Sequence, residues 1–207
     1  MAKRLTSHFK KAIPSLAGSA QRGTFFRSID LRYLATPLSA VGSIRTGGRY
    51  NAKGAFEALY IADTQETTLH ETNAVFNFNG KIVAKKQPPR VILSIDVTLQ
   101  YVIDLRDPKV QEKLKITMSD LRAPWLLAQE EGRYIVTQDI GDVARACHVE
   151  ALLYPSATLD GATNLVIFTD RLRKGSIIEL YVGDGEDTPM PRVTLTGEYE
   201  KRPPPST

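Results

Sequence analysis

The chain has 207 residues, 42% of them hydrophobic and 24% charged, which is the composition of one globular domain with a sizeable core. No run approaches the roughly 18 apolar residues of a membrane span, and the basic start lacks the apolar stretch of a signal peptide. The single cysteine, Cys147, excludes an internal disulfide framework. We therefore expect a cytoplasmic protein. The net charge of +4 is mild and its Lys and Arg residues are not interleaved with aromatic residues, which argues against direct nucleic-acid binding.

The N-terminal half is predicted to begin with an arm and continue with short strands. Residues 1–20 are basic and polar, and we expect them to form an arm or short helix around the core. The compact apolar and aromatic runs at 23–27 and 58–62 predict two strands. The alternation of residues 90–97 predicts a third strand that is half buried.

One predicted helix carries an acidic side chain of interest. Asp63 and Thr64 are good helix caps, and Leu69 and Phe76 fall on one face of the helix that would follow. Glu71 lies two positions past Leu69, so it is expected to point away from that apolar face. This placement favours an acid that faces a cleft.

The C-terminal half mixes helices with further strands. Helices are expected from Asp107-Pro108 onward, where proline is tolerated near a helix start, from 119 to 129 and from 139 to 147. Because the chain shows no regular βαβ rhythm, it predicts an α+β fold in one domain over 21–200, followed by a disordered tail, 201–207, that contains three consecutive prolines. The expected strands are 149–154, 164–168, 177–180 and 193–199.

The run from 46 to 62 combines residue types suited to a nucleotide. Gly47–Gly48 lets the backbone approach a ligand closely, and Arg49 has the planar fork that binds phosphate or carboxylate. Tyr50 and Tyr60 can stack on a ring, and Glu71 supplies one carboxylate further along. A phosphate clamp, an aromatic surface and a single acid suit a nucleotide whose glycosidic bond is to be broken.

Two blocks of this sequence resemble the RES domain, a family named for its Arg, Glu and Ser. The first block is Gly47-Gly48-Arg49-Tyr50-Asn51, Gly54, Leu59-Tyr60-Ile61-Ala62 and Thr67-Thr68-Leu69-His70-Glu71, and the second is Ala151-Leu152-Leu153-Tyr154-Pro155-Ser156-Ala157, Gly161 and Asn164-Leu165-Val166-Ile167-Phe168. The resemblance covers about residues 23–170. It implies a bacterial toxin of a toxin–antitoxin pair with an ADP-ribosyltransferase-like fold that consumes NAD, with an Xre-like antitoxin as partner and nucleic acid contacted only through that antitoxin.

The resemblance also assigns site residues, each of which could instead have an ordinary structural role. Glu71 and Arg49 would be catalytic, although glutamates on helices are commonly just solvated and loop arginines commonly bind a carbonyl. Ser156 would join them as a hydrogen-bond donor, or be a turn serine. The expected NAD contacts are Arg27, Gly48, Tyr50, Asn51, Tyr60 and Asn164, of which Arg27 could be a strand-end charge, Tyr60 a core aromatic and Asn164 a loop amide.

Other kinds of site are not supported. The glycines are followed neither by Gly-Lys-Ser/Thr nor by G-x-G-x-x-G spacing, which excludes Walker and Rossmann loops. No histidine pairs with a serine as base and nucleophile, so a serine hydrolase is not expected. The three histidines and the one thiol are scattered and do not have the spacing of a zinc site, so no metal is expected.

The predicted function is cleavage of the nicotinamide–ribose bond of NAD. The acceptor stays open at this stage: water would give a glycohydrolase, phosphate a phosphorylase, and a protein side chain an ADP-ribosyltransferase. Two further functions compete with NAD cleavage, namely a nucleotide-binding or interaction module without catalysis and a toxin that acts on RNA.

Overall fold

The computed structural model describes residues 2–72, 75–78, 81–84, 86–180 and 193–198. The helices are α1 (Ala2–Ala12), α2 (Val41–Thr46), α3 (Gln65–Glu71), α4 (Pro108–Leu114), α5 (Met118–Arg122), α6 (Trp125–Glu130) and α7 (Val136–Ala146). The strands are β1 (Ser19–Asp30), β2 (Leu59–Ala62), β3 (Val75–Phe78), β4 (Lys81–Ala84), β5 (Arg90–Asp104), β6 (Ala151–Pro155), β7 (Thr163–Ile167), β8 (Ile177–Leu180) and β9 (Thr194–Thr196). The α+β prediction is confirmed.

Seven of the described strands form one sheet in the order β1-β2-β7-β6-β5-β8-β9. Strand β1 pairs with β2 and also, over most of its length, with β5, so the sheet closes on itself through these two long strands. Strands β5 and β6 run parallel, and the other pairs in this sheet are antiparallel. Strands β3 and β4 form a separate hairpin.

The two faces of the sheet bury two apolar clusters. Successive side chains of a strand point to opposite faces, so Leu152 and Leu153 on β6 belong to different clusters. The cluster that contains Leu152 is covered by helices, which contribute the fully buried Phe9 of α1, Leu114 of α4 and Ile140 of α7. The predicted N-terminal arm is therefore helical over most of its length, and its apolar face is part of the core.

Helix α3 starts as predicted and ends earlier. The Thr64 side chain accepts a hydrogen bond from the backbone N–H of Thr67 at 3.0 Å, as an N-cap does. The helix ends at Glu71, and the Thr72 hydroxyl donates to the carbonyl of Thr68. The prediction that Phe76 shares this helix is wrong, because residues 75–78 are rich in valine and phenylalanine and form β3.

The buried side of α3 also differs from the prediction. Thr67, Thr68 and His70 are buried, whereas Leu69 is half-buried. Glu71 follows Thr67 by four residues and Thr68 by three, so it lies on the same side of the helix as these two threonines. The acid therefore reaches toward the sheet.

The predicted helix 119–129 is two helices. Helix α5 begins with a capping box, in which Thr117 and Asp120 exchange side-chain and backbone hydrogen bonds. It ends at Arg122, and α6 starts after Pro124, because proline has no N–H to donate and its ring blocks the preceding helical turn. This break brings Trp125 to the start of α6.

The remaining predicted boundaries agree to within a few residues. Asp107 caps α4 and Pro108 is its first residue, as predicted. The first and third strands extend further than predicted, because their pairing with each other continues over residues 19–30 and 90–102. The tail 201–207 lies outside the described residues. Within the described residues, every helix is too short or too polar to span a membrane.

Candidate active site

Arg49 and Glu71 face one cavity of about 350 Å³, a volume within the roughly 300–1,000 Å³ of typical small-molecule sites. Its walls include β1, β2, β6, β7, α2, α3, the glycine loop at Gly47–Gly48 and the start of α6. The polar and aromatic side chains and the glycines that line it include Arg27, Ser28, Gly47, Gly48, Arg49, Tyr60, Thr68, Glu71, Trp125, Tyr154 and Asn164. The two residues that the resemblance assigns as catalytic, Arg49 and Glu71, therefore lie at the same cavity.

The carboxylate of Glu71 is held through one of its oxygens. Oε1 accepts hydrogen bonds from Ser156 Oγ at 2.6 Å and from Asn164 Nδ2 at 2.7 Å, with Thr158 Oγ1 at 3.3 Å. Ser156 is itself fixed, since its Oγ accepts from the backbone N–H groups of Thr158 and Leu159, each at 3.1 Å. Oε2 of Glu71 accepts no hydrogen bond from the described residues, so it is available to a ligand.

Ser156 and Asn164 therefore act on the acid. Both are almost fully buried, and Asn164 also lines the cavity, whereas Ser156 lies behind Glu71 and is not part of the cavity wall. The structure thus brings together Glu71 at the end of α3, Ser156 directly after β6 and Asn164 on β7.

The glycine loop sets the position of Arg49, because neither Gly47 nor Gly48 leaves room for a larger side chain. Gly47 has a φ of +74°, and a Cβ at Gly48 would lie 2.5 Å from the Tyr60 hydroxyl oxygen. Arg49 Nη1 donates to the carbonyls of Leu121 and Ala123, both at 2.8 Å. These carbonyls end α5 and fix the guanidinium. Its Nε–Nη2 edge donates to none of the described residues and can bind an anion bidentately.

Asn51 shapes the loop and does not line the cavity. It is fully buried, its Nδ2 donates to the carbonyls of Ser43 at 2.8 Å and Phe56 at 3.0 Å, and its Oδ1 accepts from the Tyr60 hydroxyl at 2.7 Å. Every polar atom of the amide group bonds within the protein, so the structure gives no support to the predicted direct NAD contact at Asn51. Asn51 is a positioning residue.

Tyr60 is both a cavity wall and a hydrogen-bonding centre. Its hydroxyl accepts from the backbone N–H of Tyr50 at 2.9 Å and donates to Asn51, while its ring lines the cavity. Burial raises the pKa of Tyr60, so the phenol stays protonated. The structure therefore places Tyr60 at the cavity, as predicted.

Tyr50 does not provide the exposed stacking surface that was predicted. Its ring is fully buried, packs at 4.7 Å between centroids against the ring of Tyr154, and has a raised pKa because of that burial. Helix α7 covers it: a Cβ at Gly141 would lie 1.9 Å from the Tyr50 carbonyl oxygen. The loop position suggested exposure, but the glycine in α7 lets that helix pack directly on the loop.

Arg27 brings a second guanidinium to the cavity. Its Nη1 donates to the carbonyl of Pro37 at 2.8 Å and its Nη2 to that of Ser39 at 2.9 Å. Burial, and secondarily the positive charge of Arg90, lower the pKa of Arg27 to about 10, so it is charged at neutral pH. Among the described residues, two guanidinium groups and one carboxylate line the cavity, which suits an anionic ligand.

Sequence reasoning did not assign two aromatic residues of the site. Trp125 lines the cavity next to the α5–α6 break, and the proline before it was the available signal. Tyr154 lines it from β6 and stands directly opposite Asn164 in the sheet, a pairing that the sequence does not specify. Within the described ranges, no group of three His, Cys, Asp or Glu side chains could hold a metal ion.

Comparison with known proteins gives a consistent result. Residues 24–190 match the RES domain. The chain is 27% identical over 143 residues, 68% of its length and 71% of the relative's, to a protein named NAD(+) phosphorylase MbcT in Mycobacterium bovis, and equally to that of Mycobacterium tuberculosis. Its fold is similar to a chain in the crystal structure of the M. tuberculosis MbcT–MbcA toxin–antitoxin complex, with a TM-score of 0.61, 19% identity and coverage of 93% and 94% of the two chains.

Proposed function

The chain belongs to the RES domain family, and on this premise we propose that it is a toxin that depletes NAD by breaking the nicotinamide–ribose bond. The observation that carries the proposal is the convergence of Arg49 and Glu71 on one cavity. The relative named NAD(+) phosphorylase supports the choice of NAD as substrate.

In this proposal the two arginines bind the pyrophosphate. The Nε–Nη2 edge of Arg49, which donates to none of the described residues, supplies a bidentate, charge-assisted contact, and Arg27 adds positive charge from β1. Trp125 and Tyr60 are two of the aromatic side chains that line the cavity and would contact the nicotinamide or the adenine ring. NAD is the substrate here, and the chemistry needs no metal.

Glu71 would act on the ribose carbon. As the bond from C1′ to the nicotinamide nitrogen breaks, its electron pair neutralises the positively charged pyridinium, so no general acid is required. The ribose becomes oxocarbenium-like, as in glycoside cleavage generally. Oε2 of Glu71, which accepts no hydrogen bond from the described residues, stabilises this cation, while Ser156 and Asn164 hold the other oxygen in place.

We infer that phosphate is the acceptor. The relative named NAD(+) phosphorylase supports it, and the two cavity arginines suit a second anion. A phosphate oxygen forms the new bond to C1′, so the products are nicotinamide and ADP-ribose 1″-phosphate. Water as acceptor would instead give ADP-ribose, and a protein side chain would give an ADP-ribosylated protein.

We also propose that a cognate antitoxin neutralises the protein, with an Xre-like protein as the expected type. The similarity of fold to a chain of a toxin–antitoxin complex supports a partner of this kind. A partner that covers the opening of the cavity would block entry of the dinucleotide.

Product analysis tests the reaction. Purified protein is incubated with NAD in phosphate buffer and in phosphate-free buffer, and nicotinamide and the second product are identified by mass spectrometry. We expect nicotinamide release that depends on phosphate, together with ADP-ribose 1″-phosphate. Intact NAD in both buffers, with no ADP-ribose transferred to protein, would refute the proposal.

A growth assay tests the toxin function separately. The chain is expressed from an inducible promoter alone and together with the neighbouring gene. We expect growth arrest with a fall in cellular NAD, relieved by co-expression of that neighbour. Normal growth with unchanged NAD contradicts this part of the proposal.

A further inference from the structure

Three tyrosines, Tyr50, Tyr60 and Tyr154, meet beneath the cavity, and their hydroxyl groups have three different surroundings. The Tyr50 hydroxyl is buried without a hydrogen-bond partner among the described residues. The Tyr60 hydroxyl is occupied by Asn51 and by the loop backbone. The Tyr154 hydroxyl has no hydrogen-bond partner among the described residues and is not fully buried, and the mechanism above gives it no role.

Tyr154 stands beside the carboxylate system. On the sheet it is directly opposite Asn164, so the two side chains share a face, and Asn164 Nδ2 donates to Glu71 Oε1 at 2.7 Å. The Tyr154 ring is fixed by packing against Tyr50, and the residue is 5% exposed. Its hydroxyl makes no hydrogen bond to the described residues and is not one of the fully buried polar atoms without a partner, and the residue lines the cavity.

We propose that the Tyr154 hydroxyl donates a hydrogen bond to a hydroxyl of the nicotinamide ribose, an inference that rests on the proposed NAD-cleaving function. The reacting carbon must lie within reach of Glu71, and the groups next to it are the ring oxygen and the ribose hydroxyls. A donor to the ring oxygen would oppose the positive charge that develops there. A donor to a ribose hydroxyl orients the sugar without this conflict.

The surroundings keep this phenol a donor. Burial, and then the negative charge of Glu71, raise the pKa of Tyr154 well above its ordinary value, so the hydroxyl keeps its proton over the working pH range. A rigid ring with a single rotatable hydroxyl loses little conformational freedom when it binds the sugar. Tyr154 therefore acts as a substrate-binding residue that sets the orientation of the ribose.

Tyrosine-to-phenylalanine variants test the assignment. Tyr154→Phe keeps the ring that packs on Tyr50 and removes the donor, so kcat/KM for NAD should fall roughly three- to tenfold, the value of one hydrogen bond. Tyr50→Phe is the matched control: it removes a buried hydroxyl from the same cluster that does not face the cavity, and kcat/KM should stay at the wild-type value. Both variants should melt at or above the wild-type temperature.

Substrate analogues locate the contact. NAD analogues that lack the 2′- or the 3′-hydroxyl of the nicotinamide ribose are assayed with wild type and with Tyr154→Phe. For the analogue that lacks the accepting hydroxyl, the substitution should cause no further loss, whereas for the other analogue the loss should persist. A merely structural role for Tyr154 would lower activity by the same factor on all three substrates.

The outcomes separate this inference from the function it rests on. If wild type releases no nicotinamide from NAD, both the function and the Tyr154 assignment are overturned. If wild type is active and Tyr154→Phe is equally active, or loses the same factor on NAD and on both analogues, only the Tyr154 assignment is overturned.

Discussion

Substitution of Ser156 by alanine should cost both stability and activity. The variant loses the 2.6 Å bond to Glu71 Oε1 and leaves the backbone N–H groups of Thr158 and Leu159 without their acceptor. A hydrogen bond to a charged group contributes about 1.5–3 kcal/mol, and Glu71 is half-buried, so water can replace part of the loss. We estimate a loss of about 2 kcal/mol in the free energy of unfolding, which lowers the melting temperature by about 4–8 °C.

The activity of the same variant should fall for a different reason. Asn164 still holds Glu71 Oε1 at 2.7 Å, so the acid stays in the cavity but is less well oriented. Misplacement of a reacting group by about 1 Å costs about 100-fold, and we expect kcat to fall about 10- to 100-fold. Nicotinamide release gives kcat, and urea unfolding followed by circular dichroism gives the stability.

Thr158→Val provides the matched control for this prediction. Its hydroxyl is also within 3.3 Å of Glu71, but the residue is exposed and water can replace the lost contact. Valine should therefore change both quantities little. The reasoning is refuted if Ser156→Ala unfolds at the wild-type urea concentration, or if the valine variant is affected as strongly as the alanine variant.

Three further predictions test other parts of the site and its scaffold. Gly48→Ala would place a Cβ 2.5 Å from the Tyr60 hydroxyl oxygen and 2.6 Å from Asn51 Oδ1, so the loop must move. The kcat/KM for NAD should then fall roughly 10- to 100-fold. An unchanged kcat/KM would show that the loop does not position the site. The pKa of Arg27 is about 10, and binding of pyrophosphate favours its charged form. The affinity for NADH, which is stable in alkali, should therefore be constant below a pH of about 10 and fall as the pH rises through that value, as measured by calorimetry. The Arg27→Met variant should bind NADH more weakly and lack this fall, and an identical pH profile in both proteins would contradict the contact. Glu150 is fully buried outside the cavity and accepts hydrogen bonds from three backbone N–H groups and one serine hydroxyl. Glu150→Gln should therefore lower the free energy of unfolding by about 3 kcal/mol and leave kcat of the folded protein unchanged. A lower kcat at wild-type stability would contradict this structural role.

The local features of the fold were predictable from the sequence. Thr64 and Asp107 cap helices through their own side chains, and Pro108 opens one, so these boundaries depend on neighbouring residues. The break at Pro124 was also local and was missed, although the proline alone could have indicated it. The placement of Arg49 and Glu71 on one cavity followed from the resemblance rather than from propensity.

The surroundings of the loop residues could not be predicted. Tyr50 is buried because α7, about ninety residues later, packs on it at Gly141. The amide nitrogen of Asn51 donates its hydrogen bonds to the carbonyls of Ser43 and Phe56. Both residues stand in a polar loop whose sequence suggests exposure. The pairing of β6 with β7 places Tyr154 opposite Asn164, and a strand pairing of this kind is a property of the whole fold. The catalytic and binding roles of all these residues stay predictions.

The central claim is that the charge of Glu71 breaks the glycosidic bond of a dinucleotide that Arg49 holds. The most direct measurement is nicotinamide release from NAD by Glu71→Gln, beside Arg49→Lys and wild type, with melting temperatures as a check on folding. Glutamine keeps the shape and removes the charge, so kcat should fall at least about 100-fold at a nearly unchanged melting temperature, while Arg49→Lys should mainly raise KM. Release of nicotinamide by folded Glu71→Gln at the wild-type rate would contradict the account.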